Sequence, residues 1–250
     1  MKTICALLCA LFPALAHAAY TPSATETAVL TAILNDELSA FSEGGDTVIG
    51  AMLGLSLAPA QGVAATYANG PTAAFPATLQ RPMLVSGGIA SIQNSSGKKR
   101  IATFTVTGSV PVRAELPKDF AASKSLALVC GRMDLIAGTP TFSACEDSTV
   151  VGKQAVAKLK AQFASFYQGQ PTEARVSQLA INVSLAASLL TAGHGCPGDI
   201  ARCTQSIQAT HESNQSKQAL SDTVRRFQEA GLDLSPYAAS NQRSQTAEKK

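Results

Sequence analysis

Five short apolar runs separated by polar breaks fill residues 83–145, and the last two runs carry one cysteine each, Cys130 and Cys145. Runs of strand length bounded by turn residues predict β structure. In an exported chain, cysteines on two neighbouring runs predict a bridge across the last hairpin. The first run, residues 83–92, holds Gly87 and Gly88 in its interior. Interior strand glycines mark the bulge or tight coiling that a small closed barrel needs. Residues 94–97 have the composition of a hairpin turn, and residues 100–107 form the second run. In the third, Val110, Val112, Ala114 and Leu116 alternate with Pro111, Arg113 and Glu115, the period of a half-buried strand. Residues 126–133, and a run that begins at Pro140 after a Gly138-Thr139-Pro140 turn, complete the set. The expectation is five antiparallel strands closing into a barrel over residues 81–147.

The start of the chain predicts the compartment. Met1-Lys2 is a short positive segment, residues 4–15 are apolar, and Ala16-His17-Ala18 fits the small-x-small rule for cleavage. Residues 1–18 therefore read as a signal peptide, with the mature chain starting at Ala19. Lipidation fits less well. Cys9 follows Leu8 where a small residue is needed, and Cys5 precedes any apolar run. No later run reaches the roughly 18 apolar residues of a membrane helix. The longest, residues 176–192, is interrupted by Ser177, Gln178, Asn182, Ser184 and Ser188. Of six cysteines, Cys5 and Cys9 leave with the leader, so four remain: Cys130, Cys145, Cys196 and Cys203. Three pairings are open to four cysteines. Sequence proximity favours Cys130 with Cys145 and Cys196 with Cys203, each stapling one local unit. The predicted location is the periplasm.

Helices are expected on both sides of the barrel. Over residues 25–41, Ala28, Val29, Ala32, Ile33 and Leu38 form a stripe near the helical period, ended by Gly44-Gly45. Asp46 is placed to cap a second helix over residues 47–57, and residues 63–75 suggest a short third one, which makes residues 19–80 a helical segment. After the barrel, residues 148–234 read as helical. Val151, Ala155, Leu159, Phe163 and Phe166 share one face of the first helix there. Pro171 opens a second that runs to about Ala192, because proline is favoured in a first turn. Its Ala- and Ser-rich face, residues 180–192, is expected to pack on the barrel. A loop from Gly193 to Gly198 and a further helix or pair over residues 199–231 follow. Residues 235–250 are polar and expected to be disordered.

With these residues set out, a family likeness emerges. Residues 65–146 resemble the tRNA-anticodon-binding-like OB-fold family of small bacterial domains. The likeness begins at Tyr67-Ala68-Asn69 and Ala73, continues through residues 84–92 with their central glycine and Ser91-Ile92 ending, and closes with residues 126–131 and 141–145. It implies a five-stranded barrel, and in that family cysteines on strand four and at the end of strand five are common. This chain departs from the family in lacking a glycine in Pro117-Lys118-Asp119-Phe120 ahead of strand four, and in its helical half from Ser148 on. The predicted class is thus α+β, an OB-type barrel flanked by N-terminal helices and a helical C-terminal extension.

The residues argue against several kinds of chemistry. Net charge is +3 with only 15% charged residues, 5% aromatics and no Trp, and the one basic cluster is Lys98-Lys99-Arg100 in an expected turn. Nucleic-acid binders instead show a clustered basic face. An OB barrel that binds single strands also needs stacking rings on its second and third strands. Phe104 is in phase with Ala102 and Val106 and so belongs to the core, which leaves Thr103, Thr105, Arg113 and Glu115 as the candidate ligand face. Ser56 in Gly54-Leu55-Ser56-Leu57-Ala58 lacks the strand–turn–helix setting of a nucleophile elbow and is read as a helix serine. Only His194 and His211 are left as possible bases. The pairs Asp36-Glu37 and Glu146-Asp147 stand at a helix face and a strand end, so no catalytic set assembles. His194, Cys196, Cys203 and His211 do not match zinc spacing, and no metal or cofactor is expected. What remains is a non-enzymatic periplasmic binding protein, of envelope-accessory or immunity type, with another protein or an envelope component as partner. A single-stranded nucleic-acid binder is the alternative.

Overall fold

The computed structural model describes residues 20–94, 100–117, 120, 124–190, 196, 203, 205, 206, 216–235 and 237. The predicted signal peptide, residues 95–99 with Lys98 and Lys99 of the expected turn, His194, His211 and residues 238–250 lie outside them. Among the described residues the elements in order are α1 (Ala24–Ser42), α2 (Val48–Met52), β1 (Ser56–Pro59), α3 (Ala60–Thr66), β2 (Thr78–Leu79), β3 (Met83–Asn94), β4 (Arg100–Phe104), β5 (Arg113–Leu116), β6 (Ser125–Ile136), β7 (Thr139–Asp147), α4 (Ser148–Tyr167), α5 (Ala174–Leu189) and α6 (Ser216–Glu229).

The class is α+β, and the sheet closes. Its strand order is β1-β3-β4-β5-β7-β6-β2, and β3 also pairs with β6. The ring β3-β4-β5-β7-β6-β3 is therefore a five-stranded OB-type barrel, with β1 and β2 as added edge strands. One pairing corrects the all-antiparallel expectation: β5 runs parallel to β7, Arg113 opposite Thr141 and Ala114 opposite Phe142. Alternation in β5 sets which side chains face inward but says nothing of the direction of its neighbour. Residues 19–80 are likewise not purely helical. β1 adds in parallel to β3, with Leu57 opposite Leu84, and β2 pairs with Met133 and Asp134 of β6. The predicted 47–57 helix ends at Met52, and it is Thr47 rather than Asp46 that caps it, its side chain accepting the Gly50 N–H at 3.1 Å. Ser56 is thus a strand residue.

Two cores share β3. Met83, Val85, Ala102, Phe104, Ala114, Leu128 and Phe142 fill the barrel, and Ala60, Ala64 and Tyr67 of and after α3 plug one end of it. Leu84 faces the other way and is fully buried beneath Phe41, Ile49, Leu159 and Phe163 of the helical layer. Within that layer α4 touches β6 and β7, whereas α5 packs on α1, α4 and α6. The small-residue face of α5 thus meets other helices instead of the barrel, because Ala180, Val183 and Ser184 allow close helix approach. Helix α5 begins three residues after Pro171, with Glu173 at its N-cap. Tyr237, expected in a disordered tail, packs against the helical core.

The β6–β7 hairpin carries two backbone features. Ile136 pairs with Thr139, so the turn is Ala137-Gly138, one residue earlier than expected, with φ of 49° and 76°. Two positive φ values are the I′ pattern that matches strand twist. Further along, β6 buries Leu126, Leu128 and Cys130, then shifts phase and buries Met133. Strict alternation would have turned Arg132 inward. β7 shifts with it at Ala144, which has φ of 52°. Cys130 and Cys145 are directly opposite across this pair and are disulfide-bonded, as are Cys196 and Cys203.

One buried carboxylate ties the helical layer together. Glu26 is 3% exposed. It completes a capping box with Ser23, accepts Tyr20 Oη–H at 2.6 Å, and accepts the Ser184 hydroxyl from α5. Arg226 of α6 donates to Ser184 Oγ at 2.8 Å and stands 4.0 Å from Glu26 Oε1. Burial pushes the Glu26 carboxyl up, but the hydrogen bonds from Ser184, Tyr20 and Ser23 outweigh it and hold it below its ordinary value of 4.5. Burial and the same carboxylate push the Tyr20 phenol up to about 12.

Three outcomes follow. A carboxyl with a lowered folded value contributes stability that is present above its unfolded value and lost as pH falls through the folded one. Denaturant titrations should therefore show stability declining below about pH 4.5, and Glu26→Gln should flatten that decline and cost about 1–3 kcal/mol at pH 7. Ala137→Asn, which relieves a left-handed strain of about 1–2 kcal/mol, should add roughly 1 kcal/mol of stability, read as a higher urea midpoint with an unchanged m-value. Non-reducing peptide maps of the protein should recover both disulfides. Reduction of the 15-residue loop should cost about 3 kcal/mol on the chain-entropy account, and the 7-residue loop less.

Candidate functional site

The predicted ligand face assembles in part. Thr103 stands opposite Arg113 and Ile101 opposite Glu115 across β4 and β5. With Ala102, Phe104, Ala114 and Leu116 buried, Thr103, Arg113 and Glu115 share the outer side. Thr105 leaves this face. It lies past the end of β4, its N–H donates to Gly88 O at 2.7 Å, and it borders a polar groove of about 700 Å³ beside Gly87, Gly88 and Gln61. Phe104 is 2% exposed and lies in the barrel core, as its phase requires. The outer face that results is polar, of mixed charge and without an aromatic ring.

Ser56, Asp147 and Glu37 have structural roles instead of catalytic ones. Ser56 begins edge strand β1. Asp147 caps α4 by accepting the N–H groups of Thr149 at 2.7 Å and Val150 at 3.3 Å. Glu37 accepts the Val48 N–H at 2.7 Å, and burial pushes its carboxyl up. Cys196 and Cys203 are bonded to each other, which leaves them no free thiolate for a metal. Among the described residues no group of three His, Cys, Asp or Glu side chains is placed to hold a metal ion.

A second, more apolar concavity adjoins the edge strands of the barrel. A cavity of about 230 Å³ opens between edge strands β1 and β2, beneath α3. Its floor is the barrel core itself: Met83, Met133 and Phe142, each no more than 2% exposed. Tyr67 and Val63 form one wall, and Leu57 and Phe75 stand at the rim, 45% and 42% exposed. Local structure explains the arrangement. Helix α3 crosses the barrel end with Ala60 and Ala64 in the barrel core, and it borders the cavity with Gly62, Val63 and Thr66. The irregular segment from Tyr67 to β2 is then tied down at three points. Tyr67 Oη donates to Pro76 O at 2.9 Å, Leu135 N–H donates to Ala77 O at 2.8 Å, and Thr78 Oγ1 donates to Asp134 at 3.0 Å.

The polar groups at this cavity are few. Burial pushes the Tyr67 phenol up, and the charge of Arg81 opposes that rise. Arg81 also borders the cavity, is exposed, and makes no hydrogen bond or ion pair among the described residues. The carboxylate on the neighbouring strand is not available to it. Asp134 is held by Arg132 Nε at 2.6 Å and Nη2 at 2.9 Å, which keeps its carboxyl below the ordinary range. Sequence reasoning missed Arg81 and Phe75. The available signal was a loop that carries Tyr67, Phe75, Leu79 and Arg81 among Pro71, Pro76 and Pro82, apolar residues in a segment without a period.

Comparison with protein-family models gives no match. Neither a curated protein nor a solved structure matches the chain.

Proposed function

We propose that this is an exported, non-enzymatic OB-type binding protein of the bacterial periplasm, an envelope accessory or immunity-type protein, and that it binds through the cavity at the β1–β2 end of its barrel. The observation that carries the reading is the convergence there of a preformed apolar floor with two large exposed apolar side chains, Leu57 and Phe75. Binding sites are concave and mostly apolar, with a small number of placed polar groups, and this cavity has that make-up. The compartment is supported by the two disulfides, which persist in oxidising surroundings, and by the leader-like composition of residues 1–18. No helix among the described residues is long and apolar enough to cross a membrane. The likeness of residues 65–146 to the tRNA-anticodon-binding-like OB-fold family agrees with the barrel. The nucleic-acid alternative gains no observation of its own from the Thr103, Arg113 and Glu115 face.

Three methionines of the mature chain make the test site-specific. Met83 and Met133 floor the cavity, whereas Met52 lies in the helical layer. Titration of methyl-labelled protein with toluene should shift the Met83 and Met133 methyl resonances saturably and leave Met52 in place. Val63→Trp, which fills the space from α3, should weaken those shifts at least tenfold with the far-ultraviolet circular dichroism unchanged. Equal shifts at all three methyls, or none at any, would refute the reading.

A further inference from the structure

We infer that the occupant of this cavity is a small amphiphilic monoanion, an alkyl or aryl carboxylate whose apolar body enters the barrel end while its carboxylate is held at the rim by Arg81. The inference rests on the proposed binding role of the cavity and adds the chemical class of the ligand. Size sets the body. A cavity of about 150 Å³ takes one benzene, and drug-sized ligands need about 300 Å³ or more. The 230 Å³ found here lies between, enough for one ring or one short acyl chain and too little for a two-chain lipid.

The walls fit a flexible body. Met83 and Met133 are adaptable thioethers at the floor, and Phe142 and Tyr67 supply ring surface. Polarity sets the head. The Tyr67 hydroxyl is committed to Pro76 O, and Asp134 to Arg132 and Thr78. Arg81 is the cation bordering the cavity that has no partner among the described residues. Its planar fork matches a carboxylate in a two-point hydrogen bond. A cationic head would meet this guanidinium as a like charge. A neutral head would gain only the apolar part of the interaction.

Four ligands with one tail length separate the terms. The mature, oxidised protein is titrated with octanoate, octanol, octylamine and octyl phosphate, and affinities are read from the Met83 and Met133 methyl shifts at pH 7. Octanoate should bind about tenfold more tightly than octanol and octylamine more weakly than either. Octyl phosphate should not exceed octanoate. Arg81→Gln should bring octanoate down to the octanol affinity while the octanol affinity stays the same, and raising salt should narrow the gap in the parent protein only. If octanol shifts both methyls but octanoate binds no better, or if its advantage survives Arg81→Gln, the anion inference is wrong and the cavity reading stands. Tighter binding of octyl phosphate replaces the carboxylate with a phosphate monoester and overturns the class stated. If no ligand moves either methyl, both the inference and the binding role fall.

Discussion

Strand β3 is the element on which both layers depend. Its first half pairs with β6 from Met83 to Gly88, which closes the barrel, and with β1 from Met83 to Ser86. Its second half pairs with β4 from Ile89 to Asn94, with a register shift between Ile89 and Ser91. The change of partner happens at Gly87 and Gly88, and steric room there is small. A Cβ on Gly87 would come within 3.1 Å of both Ala60 and the Phe104 ring. The helical layer rests on the same strand. Leu84 is fully buried in its core, and Gly44 in the α1–α2 turn has φ of 87° and comes so close to Ser86 that a Cβ there would overlap that side chain. Burial of a leucine is worth about 1.5–3 kcal/mol, and here one strand contributes such residues to two cores. Separate folding of barrel and helices would leave Leu84 and its neighbours uncovered.

The parts of this design that the sequence made legible are those with a period. Five barrel runs, the α1 and α4 stripes and the core position of Phe104 follow from alternation or helical spacing, because those periods report which face is buried. Sequence proximity found the cysteine pairs since a hairpin and a short loop bring near neighbours together. Features without a period stayed hidden. The parallel β5–β7 pairing leaves alternation unchanged. The β1 strand sits in an apolar stretch, residues 47–59, that reads equally well as buried helix, and two-residue β2 is below any periodic signal. The phase shift at Gly131 and Ala144 breaks the rule by which strand four was read. Rim residues Phe75 and Arg81 come from a loop whose placement is set by Tyr67, Leu135 and Asp134, contacts distant in sequence, so no local pattern announced them.

The cavity is a consequence of how the barrel is stoppered. A closed five-stranded barrel must fill its ends with side chains. Here the filler is a seven-residue helix that puts Ala60 and Ala64 into the core, and the space it leaves beside Gly62, Val63 and Thr66 is the cavity. An unfilled apolar space in a core normally costs stability in proportion to its size, and the surroundings tend to relax into it. Two features oppose that collapse. Helix α3 follows β1 directly through Pro59, whose fixed φ of −59° limits the hinge. The disulfide joins β6 and β7 at Cys130 and Cys145, three residues from the floor residues Met133 and Phe142, which are themselves opposite each other. The bridge therefore clamps the wall from which the floor projects. If the cavity binds a ligand as proposed, its being held open lowers the ordering cost of binding. On the proposed binding role, the disulfide would bear on binding as well as on stability.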